Sequence, residues 1–357
     1  MIKKILIFFL FIPFFGIAQQ QINKSMIYDG ILRDYIVYIP ASYDASKDYP
    51  LLFNFHGGAS TSNDFINVND MRPIADTAGF FAIYPQGAID YDGADPGTTP
   101  STSWIHKAPT THNDVNFIAA IIDTLANEYL VDENRVYACG YSEGGIFSYE
   151  LGCRLNNRIA AFASVSGSMM VDAFRDSYYN LGFCAPIHPT AVMLIPGTND
   201  MSPHSTYSGF QPYYMSADEI TTYWSNYNNT DINPIISQLL NINTFDGSTV
   251  ERRVWEGGDN CVSVEELKVI GGDHDWPGSW GNMDISASNE IWNFVSKFDI
   301  NGLINCNASS NHEIQITKDR KLIKITDMLG RDIKELKNIP LFYLYNDGIV
   351  EKKIIIK

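Results

Sequence analysis

A mostly parallel, doubly wound α/β sheet with helices on both faces is the fold class predicted, and three observations carry it. Strand-like and helix-like stretches alternate along most of the 357 residues, the pattern of βαβ construction. Residues 49–85 hold one such unit, two buried-type strands around a helical stretch. Finally, Gly140-Tyr141-Ser142-Glu143-Gly144 lies between a strand-like run, residues 135–139, and a helical pattern from Gly145 onward, so a sharp strand-to-helix turn is expected there.

The elements follow in order. Alternation over residues 32–40 predicts an early strand, residues 49–55 a buried strand running into His56-Gly57-Gly58, and residues 80–85 another, with helical character over 69–77 between them. Residues 86–112 are rich in Gly, Pro, Thr and Asp, a loop length uncommon unless it serves a site. Asp114 can cap a helix running to residue 127, and a strand follows at Val136. Residues 158–166 and 191–196 read as the next strands. Ser216-Ala217-Asp218 opens a helix to residue 227, residues 265–270 form the last core strand, and residues 286–298 a closing helix.

Length and charge narrow the function. The chain is long enough for one large domain and a small appendage. A formal charge of −16 argues against nucleic acid, whose phosphates demand a basic face, and disfavours an anionic partner of any kind; separately, a monomer is expected. Lys3 and Lys4, an apolar run over residues 5–17 and small residues at Gly16 and Ala18 predict a secretory signal peptide over residues 1–18. The run is short of the ~20 residues that span a bilayer and contains Pro13. Residues 19–300 carry 13 basic and 34 acidic side chains, net −21, whereas residues 301–357 carry 10 and 7, net +3. That shift predicts a main domain over 19–300 and a small β-rich tail over 301–357. Five cysteines leave at least one unpaired in an exported protein. Cys139 reads as a small buried hydrophobe. Cys153 and Cys184 are the expected disulfide, with the pairing of Cys261 and Cys306 left open.

The turn around Ser142 carries the chemistry. A G-x-S-x-G between strand and helix is the nucleophile elbow of the α/β-hydrolase fold, where glycines two before and two after the serine avoid collisions. A serine hydroxyl needs a base to take its proton and an acid to orient that base, and in this fold they follow in the order Ser, Asp or Glu, His. Asp200 stands just beyond the strand ending Ile195-Pro196, where open α/β sheets place their sites; Asp218 and Asp259 are less well placed. His274 lies in the glycine-bracketed loop Gly271-Gly272-Asp273-His274-Asp275-Trp276-Pro277-Gly278 after the last strand. Of the other histidines, His106 and His112 fall in the polar loop, His188 before a strand, His204 after the acid and His312 in the tail, while His56 orders its own loop. Acyl transfer also needs oxyanion donors; the backbone N–H groups of Glu143 and Gly58 are the candidates. Trp104, Trp276 and Trp280 fall on nearby loops, where they could wall a phenolic, sugar or polyester substrate, with core or loop packing the equal alternative for each. Asp273-His274-Asp275 makes a poor metal site, since adjacent side chains seldom converge and no His-x-x-x-His or cysteine pair accompanies them; no metal or cofactor is expected.

Together these motifs, with Gly30-Ile31-Leu32-Arg33-Asp34-Tyr35, Ala75-Asp76, Tyr84-Pro85-Gln86, Asp114-Val115 and Gly197-Thr198-Asn199-Asp200, resemble the secreted esterases grouped as polyhydroxybutyrate depolymerases and feruloyl or acetylxylan esterases. The resemblance covers about residues 28–298 and implies a Ser142–His274–Asp200 triad acting on esters of plant polysaccharide or, alternatively, on polyesters. A non-catalytic carbohydrate-binding relative is the rival from another class. Two departures stand out: Glu143 where such proteins usually carry Asn, Met or Gln, and Asp273 in place of a common glycine. The family often has a cysteine near Trp224 that could pair with Cys261, and none is present here. Residues 323–331, 341–344 and 352–357 resemble the C-terminal sorting domain of type IX secretion in Bacteroidetes, which implies that machinery as a partner and an extracellular or cell-surface destination.

Overall fold

The computed structural model describes residues 20–90, 101–105 and 113–306 and, in the tail, 322–327, 331, 333–334, 340–345 and 350–354. The expected signal peptide, His106, His112 and His312 lie outside the described residues.

The chain opens with a hairpin of β1 (Gln20–Tyr28) and β2 (Ile31–Ile39). It continues through β3 (Tyr49–Phe55), helices α1 (Ser62–Val68) and α2 (Arg72–Ala78), and β4 (Phe81–Pro85). The single helical stretch expected over 69–77 is two short helices, because Pro73 stands in the first turn of α2, where its missing N–H costs nothing, and cannot continue a helix from α1. A two-stranded ribbon of β5 (Ala88–Asp90) and β6 (Ser101–Ser103) follows. Then come α3 (Asp114–Glu128), β7 (Val131–Tyr141), α4 (Glu143–Arg154), β8 (Ala161–Val165), α5 (Asp172–Tyr179) and β9 (Ala191–Ile195). Beyond α6 (Ala217–Asn228), β10 (Ile235–Gln238), β11 (Thr249–Trp255) and β12 (Val264–Ile270) lead to α7 (Ala287–Val295) and the short pair β13 (Phe298–Asp299) and β14 (Gly302–Leu303).

Ten strands make one sheet in the order β1-β2-β4-β3-β7-β8-β9-β12-β11-β10. The six from β4 to β12 run parallel, and β1, β2, β11 and β10 are antiparallel additions at the two edges. Alternate residues of the central strands feed two separate cores. Phe53, Phe55, Val136 and Ala138 pack with Phe117, Ile121, Phe147 and Trp224 of α3, α4 and α6. Leu52, Tyr137 and Cys139 pack with Phe65, Ala75, Ile291 and Phe294 of α1, α2 and α7. Each large apolar side chain buried this way contributes about 1.5–3 kcal/mol, and two layers explain why the parallel strands read as continuous apolar runs.

Polar contacts set the ends of the elements. Ser216 and Glu219 form a reciprocal capping box on α6, worth about 1 kcal/mol. The buried pair Arg33–Asp114, 2.7 Å, ties β2 to the start of α3, and Asp114 also accepts the Ile105 N–H. Arg175 of α5 grips Glu150 of α4 through two bonds of 2.6 and 2.7 Å, and a Cys153–Cys184 disulfide joins the same two regions. Cys139 is free and buried.

The second disulfide, Cys261–Cys306, moves the end of the main unit. The chain divides after Cys306, not after residue 300 as the charge shift predicts, because Tyr137 of β7 donates to the Phe298 carbonyl, β14 pairs with β13, and Cys306 is bonded to Cys261. Within the tail, β15 (Leu322–Thr326), β16 (Pro340–Tyr345) and β17 (Val350–Ile354) form an antiparallel sheet in sequence order.

Candidate active site

Ser142 stands between β7 and α4 with φ 54° and ψ −118°, backbone that an L-residue adopts only under constraint. The flanking glycines supply the constraint. A Cβ on Gly140 would stand 2.2 Å from the backbone of Gly144, and one on Gly144 would stand 2.2 Å from the Phe55 carbonyl oxygen. The turn therefore presses against the end of β3, the strand that delivers His56-Gly57-Gly58.

Strands β9 and β12 deliver the other two groups to the same edge of the sheet. His274 Nε2 is 2.9 Å from Ser142 Oγ, and its Nδ1 is 2.7 Å from Asp200 Oδ2. With Nδ1–H donating to the carboxylate, Nε2 is left as the acceptor for the serine proton. Ser205 Oγ also reaches Nδ1, at 3.0 Å, and the Ser202 N–H donates to the other Asp200 oxygen at 2.9 Å. Burial pushes the Asp200 carboxyl up, but the His274, Ser202 and Ser205 hydrogen bonds outweigh it and hold the group below the ordinary aspartate value. It is a charged acceptor in the resting site.

The loops that carry Asp200 and His274 are sewn together. Asn199 N–H donates to the Gly272 carbonyl and Gly271 N–H to Thr198 Oγ1, each at 2.8 Å, while a Cβ on Gly197 would meet the Asp273 oxygen at 2.3 Å. From the Ser142 side, Tyr141 donates its hydroxyl to the His274 carbonyl at 2.8 Å, and its ring lies against the imidazole.

Beyond the end of β3, a Cβ on Gly57 would stand 3.4 Å from Ser142 Cβ and one on Gly58 would stand 2.9 Å from Glu143 Oε2. His56 is fully buried; its Nδ1 faces the Gly57 carbonyl at 2.7 Å and its Nε2 accepts the Gly87 N–H at 2.9 Å. That pattern sets a neutral Nδ1–H tautomer, and burial lowers the pKa to about 4. Its carbonyl accepts the Trp104 indole N–H at 2.9 Å. The imidazole and the indole, ring centroids 5.1 Å apart, brace the loop together.

The expected aromatic wall needs correcting. Trp104 is 1% exposed and stacked on Phe147, and Trp276 is 1% exposed against Phe65. Neither presents a face to a substrate; both are core, because the loops that carry them fold over apolar neighbours. Trp280 is half-buried and meets Tyr141 edge-on. Among the described residues, no group of three His, Cys, Asp or Glu gathers in a way that could hold a metal ion.

One residue at the centre escapes the sequence reading. His204 Nε2 lies 3.3 Å from Ser142 Oγ, so two imidazoles converge on one hydroxyl. Its position four residues after Asp200 was the available signal, since a short loop leaving the acid must pass the same strand ends.

Fold and turn together define an α/β-hydrolase. The chain shares that fold with an acetyl xylan esterase from Aspergillus awamori at TM-score 0.52, with 13% identity over 77% of this chain and 98% of that one. An S-formylglutathione hydrolase from Agrobacterium tumefaciens superposes at 0.50, with 12% identity over 78% and 92%. By sequence, it is 28% identical over 293 residues, 82% of its length, to a bifunctional acetylxylan esterase/xylanase of Neocallimastix patriciarum. It is also 25% identical over 279 residues to feruloyl esterase B of Piromyces equi and 28% over 151 residues to feruloyl esterase D of Neurospora crassa. The chain spans less than half of each of these relatives, 37%, 46% and 48% of their lengths. No family model matches it.

Proposed function

We propose that the chain is a serine carboxylic ester hydrolase that works through an acyl-enzyme on feruloyl or acetyl esters carried by plant polysaccharide. The observation that carries this reading is the unbroken chain of contacts from Asp200 through His274 to Ser142 Oγ, 2.7 and 2.9 Å. Ser142 attacks the ester carbonyl as His274 Nε2 takes its proton, and Asp200 stabilises the imidazolium that forms. The Glu143 and Gly58 amides hold the oxyanion. His274 then protonates the departing alcohol, and water repeats the cycle against the acyl-enzyme. The acetylxylan and feruloyl esterases among the similar proteins support the substrate class.

A polyester substrate is a second reading, favoured by apolar side chains exposed on the segment after the acid: Met201, 84% exposed, with Phe210 and Tyr213. An apolar rim suits a water-poor polymer surface.

Assays with p-nitrophenyl acetate and butyrate, methyl ferulate, acetylated xylan and a polyhydroxybutyrate film, on the intact protein and Ser142→Ala, test both. Loss of about 10³-fold or more in the variant is expected. No turnover of any ester, or undiminished turnover by Ser142→Ala, overturns the enzyme; preference for the film over the ferulate and xylan substrates favours the second reading.

Export is part of the proposal. It is supported by the basic and apolar pattern over residues 3–18 and by two disulfides, which form in oxidising compartments. The tail would hand the protein to the type IX machinery. Deleting residues 307–357 should then trap it in the periplasm, and normal release of the shortened chain would remove the tail from that role.

A further inference from the structure

Ser142 Oγ has a second histidine within hydrogen-bonding reach, and the arithmetic of protons restricts what that histidine does. In the resting site the serine hydrogen points to His274 Nε2, whose other nitrogen faces Asp200. The oxygen has only lone pairs left for His204 Nε2 at 3.3 Å. The contact therefore requires His204 to carry its proton on Nε2 and to donate it.

The ring is held in place from several directions. Its backbone carbonyl accepts the Ser168 N–H at 2.9 Å, anchoring it to the loop that leaves β8, while the turn that begins at Ser202 closes through Ser205 and Thr206 N–H groups. The imidazole meets His274 edge-on, with centroids 5.9 Å apart, and Tyr214 at 6.4 Å. Burial and the neighbouring His274 lower the pKa of His204, with Asp200 pulling the other way. A neutral donor beside the base can remain in place when His274 becomes cationic.

We propose that His204 is a further catalytic residue, whose Nε2–H stabilises Ser142 Oγ as that oxygen leaves the acyl-enzyme. This rests on the serine esterase reading above. In deacylation, water adds to the acyl carbon and gives its proton to His274 Nε2. The C–Oγ bond then breaks, its electron pair stays on Oγ, and Oγ takes the proton back from His274. His204 donates throughout and transfers nothing. An ester oxygen is a weak acceptor and a departing alkoxide a strong one, so the bond tightens as negative charge grows on Oγ. Only an interaction stronger in the transition state than in the ground state accelerates a step. In acylation the starting hydroxyl already accepts the same bond, so the gain there is smaller. His204 acts mainly on deacylation.

The test separates the two half-reactions. With p-nitrophenyl acetate, stopped-flow release of p-nitrophenol reports acylation in the first turnover and deacylation in the steady state. His204→Phe keeps a ring of similar size and has no donor; His204→Gln places an amide N–H near the position of Nε2. The expected result for His204→Phe is a burst of close to one equivalent at near the normal rate, then a steady state slowed about tenfold or more. Intact-mass measurement should find the acetyl group retained on Ser142. His204→Gln should recover most of the steady-state rate. Equal burst and steady-state rates in His204→Phe and the unmodified protein overturn the proposal, and so does an equal slowing of both phases that His204→Gln does not relieve. Failure of the unmodified protein to turn over any ester would instead strike the esterase reading. Unfolding of His204→Phe, visible by circular dichroism, shifts the decision to His204→Gln beside His204→Asn: equal steady-state rates in those two overturn the proposal, because the shorter amide cannot reach Oγ, and a faster Gln variant upholds it.

Discussion

Gly58 and Glu143 are in contact across the elbow: a Cβ on Gly58 would stand 2.9 Å from Glu143 Oε2. The carboxylate is held there by Ser103 Oγ, which donates to its other oxygen at 2.9 Å. A negative charge thus lies beside the backbone proposed to hold an oxyanion. Glu143→Gln should raise kcat/KM for an ester with a carboxylate in its acyl group about fivefold to tenfold relative to the acetyl ester, the scale of a like-charge pair about 4 Å apart in water. An unchanged ratio of the two substrates would take Glu143 out of the acyl pocket.

The glycines of the turn are expected to be far less forgiving. In Gly144→Ala the new methyl meets the rigid carbonyl of Phe55 at 2.2 Å, and backbone must move. A loss of several kcal/mol in stability is expected, read as a lower urea midpoint, with activity falling further than stability because Ser142 shifts with the turn. A variant with an unchanged midpoint would show that helix and strand are looser than their packing indicates.

His56 gives the fold a pH dependence of known sign. Its folded pKa is about 4 and its ordinary value 6.5, so between those values the unfolded chain holds more protons, and stability rises with pH across that window. The full effect is about 3 kcal/mol. Urea titrations at about pH 4.5 and pH 7 should show His56→Gln losing less stability on acidification than the unmodified protein. Parallel losses would mean that His56 is not what senses the acid.

Much of this was legible in the sequence, and the reasons differ by element. The parallel strands, the turn at Ser142 and the positions of Asp200 and His274 could be read because strand ends, glycines and one-dimensional order decide them. The antiparallel arm β10–β11 could not: Ile235–Gln238 is exposed along its whole length and β11 is mostly half-buried, so neither shows a buried run. For Trp104 and Trp276 the sequence leaves wall and core open, because a tryptophan on a loop looks alike whether the loop folds inward or outward, and both fold inward. His204 was passed over because sequence order does not reveal that two loops share one hydroxyl.

The end of the main unit can be tested by cutting it twice. A chain ending at residue 306 keeps the Cys261–Cys306 disulfide and β14, whereas one ending at residue 300 loses both. The shorter chain should be less stable by about 2–5 kcal/mol, and a reducing agent should narrow the gap. Equal melting temperatures under oxidising conditions would return the boundary to residue 300.

The hydroxyl of Tyr141, fixed on the His274 carbonyl, has a consequence for how such a protein can change. His274 takes its position from Tyr141 and from the turn that follows Asp200, whose Ser205 Oγ reaches Nδ1, not from the β10–β11 arm. The β10–β11 arm, exposed along all of β10, makes none of the contacts described around Ser142, so its length can change while those distances stay fixed. Variation in that arm leaves the atoms around Ser142 undisturbed.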